Sequence, residues 1–403
     1  MFAADRACRG TLRQFLGWLA TQGQTASPRT TGYCKARARL RPADLDDVHH
    51  RLGRDVRAAH LARGLWYGRP VKVVDGSGLS MPDTPRNQAC YPQAQGAKPG
   101  CSFPVMRVVA LFCLGTGVLL SLAKGALNVS ERALFRSLWG LLEAGDVVLA
   151  DRGFCGYAEF YFLAQRGVDC VMRNHQRRTV GKTLLRVLGP GDRLILWHKS
   201  SCPVWPSRAV WATVPDTLTI RELDFQVAVK GFRVESITVV TTLLEPTAFP
   251  TEAFADLYRR RWRAELFLRD IKITMGMDIL RCKTPEMVHK ELTMHLIAYN
   301  LVRLTMLEAA RAHAVPWERI SFKGTLATLR PWAPLFLAAG PRTRRALWTR
   351  LLGYLAADQL PDRPNRVEPR ARKRRPKNYQ LLNKPRHLFQ EIPHRNKYAK
   401  VLS

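Results

Sequence analysis

The chain of 403 residues is 46% hydrophobic and 24% charged, the proportions of a globular protein with a packed core, sized for one large domain with an insertion or for two to three ordinary domains. Its 64 Lys+Arg against 32 Asp+Glu leave a formal net charge of +32, which calls for a polyanion; nucleic acid leads, with an anionic membrane surface as the rival. Nine cysteines without a Cys-x-x-Cys pair exclude a disulfide framework and a zinc site and fit the reduced thiols of a cytosolic protein, and no apolar run reaches the ~18 residues that would span a bilayer.

Residues 1–66 read as a helical N-terminal region for DNA binding. Leu12, Phe15, Leu16 and Leu19 recur at helical spacing, and a second helix is expected over 42–65. Between them a basic loop, with Arg29, Lys35, Arg37 and Arg39, suits either a DNA-contacting arm or a solvated linker. A first part of an α/β core is expected over 67–175. It opens with a short β-branched strand over 70–75 that ends at Asp75, where Gly76, Ser77 and Gly78 turn the chain. A Pro/Gly-rich loop occupies 82–104. A hairpin follows, 105–113 and 118–124, and Ser130 caps a helix expected to run to Glu143. Val147, Val148, Leu149 and Ala150 form a buried strand that also ends in an acid, Asp151. A helix near 157–165 and a strand near 168–172 complete an α/β pattern of a mixed sheet flanked by helices.

Residues 176–236 change character. Trp197, Trp205 and Trp211 appear among short alternating strands, read as a β-rich insertion. The core resumes over 237–320, with a strand over 236–244 and helices over 251–275 and 285–314. Residues 321–403 form a helical and basic C-terminal region containing the block from Arg370 to Lys377.

The helix over 251–275 carries the sharpest signal. At about 100° per residue, Tyr258, Arg261, Glu265, Arg269 and Lys272 share one arc of roughly 80°. Leu257, Ala264, Leu268, Ile271 and Met275 fill an adjoining apolar face. An exposed Glu265–Arg269 pair explains part of the stripe. A lone acid among cations and a phenol equally suits an acid that holds a metal while its neighbours grip phosphates. Asp75 and Asp151, each at a predicted strand end, lie where α/β sheets collect ligand-binding residues. Three carboxylates are a workable cage for Mg²⁺, which prefers oxygen ligands and keeps waters and substrate phosphates in its shell.

These residues resemble a known family. Tyr258, Arg261, Glu265 and Lys272 have the spacing of the Tyr-Arg-Glu-Lys signature of DDE transposases of the insertion-sequence-four type. Val-Val-Asp75-Gly-Ser, Arg86-Asn87-Gln88, Tyr91-Pro92 and the run from Lys98 to Pro104 look like the segment around that family's first Asp. The run from Leu149 through Asp151 to Phe154 looks like the segment around its second, and the likeness extends from about residue 30 to the C-terminus.

The resemblance implies a ribonuclease H-like core with a β-rich insertion. It implies Asp75, Asp151 and Glu265 as catalytic, metal-holding residues for Mg²⁺, with Mn²⁺ able to substitute. Tyr258, Arg261 and Lys272 are expected at the DNA beside the cleaved end, with Arg269 on the same stripe. Trp262 or the insertion tryptophans would handle a flipped base. Such enzymes cut double-stranded DNA at terminal inverted repeats and join the 3′-OH ends to target DNA, in the better-understood relatives through a hairpin. They act as a homodimer at the bacterial nucleoid, with no membrane role. The region before Cys8 is short for this family, so part of the end-recognition segment is expected to be missing. Alternatives are an inactive or domesticated DNA-binding derivative, a metal-dependent nuclease or resolvase on the same core, and a tyrosine recombinase using Tyr258 or Tyr299.

Overall fold

The computed structural model describes residues 16–25 apart from 18 and 22, residues 29–361 apart from 97, 99, 175–180 and 228–234, and Leu388. The block from Arg370 to Lys377, with Leu12 and Phe15, lies outside the described residues, as do parts of 176–236.

The β-branched run at 71–74 starts strand β1 (Val71–Ser80), and the strand does not stop at Asp75. It continues through Gly76, Ser77 and Gly78, which pair with Val109, Val108 and Arg107 of β2 (Val105–Cys113). The expected turn is therefore absent. Pairing to β2 satisfies the backbone, and the glycine leaves room on the reverse face: a Cβ at Gly76 would lie 2.5 Å from the Glu131 carboxylate. Strand β2 returns as β3 (Leu119–Ala126). On the other side β1 pairs in parallel with β4 (Val147–Ala150), and β4 with β5 (Asp169–Arg173).

Four more strands prolong the same sheet. They are β6 (Lys182–Gly189), β7 (Asp192–His198), β8 (Thr217–Val227) and β9 (Glu235–Thr241), and the order across the sheet is β3-β2-β1-β4-β5-β9-β8-β7-β6. Strand β9 runs antiparallel to β5 and joins the two halves. The β-rich stretch after β5 thus extends the central sheet. The result is a mixed α/β sheet flanked by helices.

Both faces of the central strands are covered, which is why β4 reads as an unbroken apolar run. Alternation sends Val71, Val73, Val147 and Leu149 to one core and Val74, Val148 and Ala150 to the other. The second core packs α4 (Glu131–Ser137) and α5 (Tyr157–Ala164), together with Trp197 and Trp211. Ser130 caps α4 by accepting from the Ala133 N–H, but the helix ends at Ser137, short of the expected Glu143.

The first core packs α7 (Thr251–Arg260), α8 (Trp262–Arg269) and α9 (Pro285–Ala312). The apolar face expected of the first two, Leu257, Ala264, Leu268, Ile271 and Met275, is buried in it. Arg303 of α9 is caged by Phe267, Tyr299, Trp317 and Phe322 and donates from Nη2 to Asp270 at 2.7 Å, which ties the end of α8 to α9. N-terminally, the basic segment expected as a loop is helix α1 (Thr30–Arg39); Lys290 of α9 donates to its Ala38 carbonyl. Helix α2 (Pro42–His60) lays His49, Gly53, Val56 and His60 inward at helical spacing. A short helix α3 (Pro85–Cys90) interrupts the 82–104 loop, and α6 (Arg208–Ala212) joins β7 to β8. Helices α10 (Phe322–Ala338) and α11 (Pro341–Ala357) close the described chain. Among the described residues no helix is long and apolar enough to cross a membrane.

Candidate active site

Strand register brings the two aspartates together. Strand β1 pairs with β4 at Val71–Val147, Lys72–Val148 and Val73–Leu149. Two places beyond the last of these pairs lie Asp75, still within β1, and Asp151, the residue that follows β4, and the charge of Asp151 acts on Asp75. Both follow the alternation of Val73 and Leu149, so both face the layer that carries α8. Asp75 therefore lies mid-strand, yet just past the point where its parallel partner ends.

Glu265 comes down onto this pair from α8. Asp75 is pushed up to about 6, chiefly by burial, with the negative charges of Glu265 and Asp151 adding to it; the Gly76 N–H bond and the charge of Arg261 oppose the rise. The three acids are thus electrostatic neighbours. Asp75 Oδ1 accepts from Gly76 N at 2.9 Å, and Asp151 Oδ1 accepts from Gly153 N at 2.7 Å.

The helix stripe divides on inspection of its partners. Arg261 is buried and donates from Nη2 to Glu265 Oε1 at 3.1 Å. Among the described residues this, and not Glu265–Arg269, is the ion pair that Glu265 makes. Burial opposes the charge of Arg261, but Tyr258, Glu265 and Asp75 outweigh it and hold the guanidinium above its ordinary value. Its Nε is buried without a hydrogen-bond partner. Tyr258 is buried beside it and raised by burial, with Arg261 and Arg173 pulling down and Asp151 pushing up.

Lys272 does not continue a regular helix. Residues Asp270–Thr274 form a π turn in which the Met275 N–H reaches back to the Asp270 carbonyl at 2.9 Å. Within this widened turn Lys272 Nζ donates to Ser77 Oγ at 2.6 Å. Burial lowers the lysine, while Asp278 and Asp75 favour its charge. Arg269 is exposed and its charge bears on Asp270.

Trp262 is 45% exposed, with the Arg261 guanidinium 5.5 Å from its ring centre. The insertion tryptophans are placed differently: Trp197 and Trp211 are core residues, and Trp205 packs edge-on against Trp139 and Phe162. Tyr299 is fully buried, donates to the Gly117 carbonyl at 2.6 Å and is raised by burial, which removes it as a nucleophile.

Sequence reasoning missed Ser77 and Arg173. Ser77 lies two places from Asp75 on the same strand face, a placement hidden while the chain was expected to turn at Gly76. Arg173 closes β5 and acts on Tyr258 across the strand ends. A cation at the end of a parallel strand was its only sequence signal.

Acids gathered where parallel strands end, beneath a helix lined with cations, are the layout of an enzyme that moves phosphoryl groups in a polynucleotide. Comparison with known proteins gives the family. A model described as a transposase DDE domain matches residues 66–301, more than half of the chain, so this protein belongs to the transposase DDE family and is a DNA transposase.

Its relatives include the transposase InsG for insertion sequence element IS4 of Escherichia coli K12, 29% identical over 319 residues, which are 78% of this chain and 70% of the relative. A putative transposase InsZ of the same organism is 28% identical over 136 residues, 34% of this chain and 46% of that protein. A solved piggyBac transposase synaptic complex with hairpin DNA overlays with a TM-score of 0.38 at 9% identity, over 72% of this chain and 57% of that one.

Family membership implies DNA as partner and a divalent metal ion. Among the described residues no three acid, histidine or cysteine side chains stand close enough to enclose an ion unaided. The donors that do approach are carboxylates alone, and Asp75 among them is raised chiefly by burial, with two like-charged neighbours adding to it. Such a set fits a hard divalent cation whose remaining ligands are water and substrate phosphate oxygens.

Proposed function

We propose that this transposase cuts DNA at transposon ends and joins the freed 3′-OH ends to target DNA, using Asp75, Asp151 and Glu265 as its catalytic acids. The observation that carries this reading is the shared β1–β4 register, which brings Asp75 alongside Asp151, together with the electrostatic influence of Glu265 on Asp75. Divalent ions bound to these carboxylates, Mg²⁺ with Mn²⁺ as substitute, would supply activation of the attacking oxygen and stabilisation of the leaving one.

The chain's own residues hold the DNA in place for that displacement. Arg261, buried between Glu265, Asp75 and Tyr258, offers a fixed cation to the scissile phosphate. The Tyr258 hydroxyl adds a neutral donor beside Asp151, since burial keeps the phenol protonated. Lys272, aimed by Ser77, supplies a second cation on the Asp75 side. Arg269 reaches the flanking backbone from the exposed face of α8. Trp262, 45% exposed at the surface of α8, is the aromatic proposed to stack on an unpaired base beside the cut, where the insertion tryptophans are packed in the protein. Two copies acting on two ends, at the bacterial nucleoid, complete the reading.

The test is cleavage of labelled DNA bearing the element's own terminal repeats, with Mg²⁺, with EDTA, and with Glu265→Gln. Metal-dependent cuts at the repeat boundary that vanish in the variant support the assignment. Binding without cutting under every condition would replace it with a DNA-binding derivative.

A further inference from the structure

Asp151 opens a short loop, and the Arg132 side chain donates to two carbonyls of that loop. We propose that Arg132 is a positioning residue that aims the Asp151 carboxylate by clamping the carbonyls of Gly153 and Cys155. The inference rests on the reading of Asp151 as a metal-holding catalytic acid.

Strand β4 ends at Ala150, and the chain then makes a tight turn through Arg152 and Gly153 before Phe154 and Cys155 re-enter the core. Asp151 sits at the start of this turn. Among the described residues its carboxylate has one hydrogen-bond donor, the Gly153 N–H. The direction of that N–H is set by the plane of the peptide it belongs to, and so by the turn as a whole. The turn's own backbone bonds are long, 3.2 Å from Phe154 N to the Asp151 carbonyl and 3.3 Å from Cys155 N to the Arg152 carbonyl.

Arg132 supplies what the turn lacks. Its Nε donates to the Gly153 carbonyl at 2.7 Å and its Nη2 to the Cys155 carbonyl at 3.1 Å. A guanidinium is a planar fork and can grip two carbonyls at once; a lysine ammonium on a flexible stem offers a point charge instead. Space around the turn is equally constrained. A Cβ on Gly153 would lie 2.9 Å from Asp151 Oδ1, so a side chain there would push the carboxylate aside. A Cβ on Gly156 would lie 3.1 Å from Arg132 Nη1 and 2.0 Å from Glu159 Oε2.

The placement of Arg132 runs against local preference. It occupies the first turn of α4, where the helix dipole disfavours a cation. It also stands near Arg136, whose charge it opposes. A residue that violates a local rule is expected where function requires it. Here the two carbonyls compensate the cation, and the result is a path from α4 through the two peptides that flank the Gly153 Cα to Asp151.

The test uses the full chain with Mn²⁺ as probe. Mn²⁺ binding is measured without DNA by electron paramagnetic resonance, and cleavage of end DNA is titrated with Mn²⁺ in parallel. Residues that orient metal ligands commonly change metal affinity by ~10–100-fold, and Arg132→Ala is expected to weaken Mn²⁺ binding and shift the metal midpoint of cleavage by a factor in that range. Metal-free DNA binding should stay at the wild-type level. Arg132→Lys should fall between wild type and Arg132→Ala, and it carries the comparison alone if the alanine variant does not fold. Wild-type Mn²⁺ affinity in Arg132→Ala, or a slower rate at an unchanged metal midpoint, would overturn the clamp. Asp151→Asn, run alongside, separates the two ideas. If it binds Mn²⁺ and cuts like wild type, the assignment of Asp151 fails. If it is inactive while Arg132→Ala behaves as wild type, the clamp alone fails.

Discussion

Replacing His49 by leucine is expected to relieve roughly 3 kcal/mol of the loss of stability that the protein undergoes as the pH falls from 6.5 to 4. His49 lies on the inward face of α2, buried at 2% exposure, with Nε2 lacking a partner. Burial lowers it to about 4, the neighbouring His50 adds to the effect, and Asp46 opposes it. Above pH 6.5 the ring is neutral in the folded and the unfolded chain alike, so it contributes no pH dependence. Between 6.5 and 4 the unfolded chain takes up a proton that the folded chain refuses, and stability falls as the pH falls. The gap from 6.5 to about 4 corresponds to roughly 3 kcal/mol, reached in full below pH 4. The assay is urea denaturation of wild type and His49→Leu at half-unit steps of pH. The two stability curves should diverge through this window, with the variant flatter by an amount of that order. Parallel curves would show that His49 is not buried as a neutral ring and would undo the account of how α2 docks.

Three further outcomes follow from the same structure. Asp75→Asn should abolish cleavage while raising the melting temperature of the metal-free protein at neutral pH, because burial and two like charges hold Asp75 up at about 6; calorimetry with EDTA reads this, and a lower melting temperature would contradict it. Gly115→Ala should cost about 3 kcal/mol or more, since its Cβ would meet the Gly64 Cα at 2.5 Å, backbone against backbone, and an unchanged denaturation midpoint would refute that contact. DNA affinity should fall on the order of 10³-fold between 50 and 200 mM salt if six or more phosphates are contacted, and a shallow slope in a filter-binding titration would argue against so wide a basic footprint.

Much was legible in the sequence because its signals were local. The apolar run over 147–150 fixed β4 to the residue, since a strand covered on both faces needs no polar alternation. Periodicity picked out the face of Leu257, Ala264, Leu268, Ile271 and Met275, because helix geometry converts spacing directly into a side. The composition pointed to nucleic acid through charge alone, a property that requires no fold.

Other features were decided only by pairing between distant segments. Glycines at 76 and 78 look like a turn, but β2 completes their backbone hydrogen bonds and keeps β1 extended to Ser80, which is what places Ser77 under Lys272. The neighbouring of Asp75 and Asp151 is a matter of strand register, and register has no trace in either segment read by itself. The sequence offered Arg269, one turn further on, as the partner of Glu265, but the ion pair forms with Arg261, one turn before. Burial of Arg261 over Tyr258 selected it, while Arg269 remained in solvent. The π turn that carries Lys272 left no mark in the residue spacing; it begins at Asp270, which accepts from the caged Arg303 on α9.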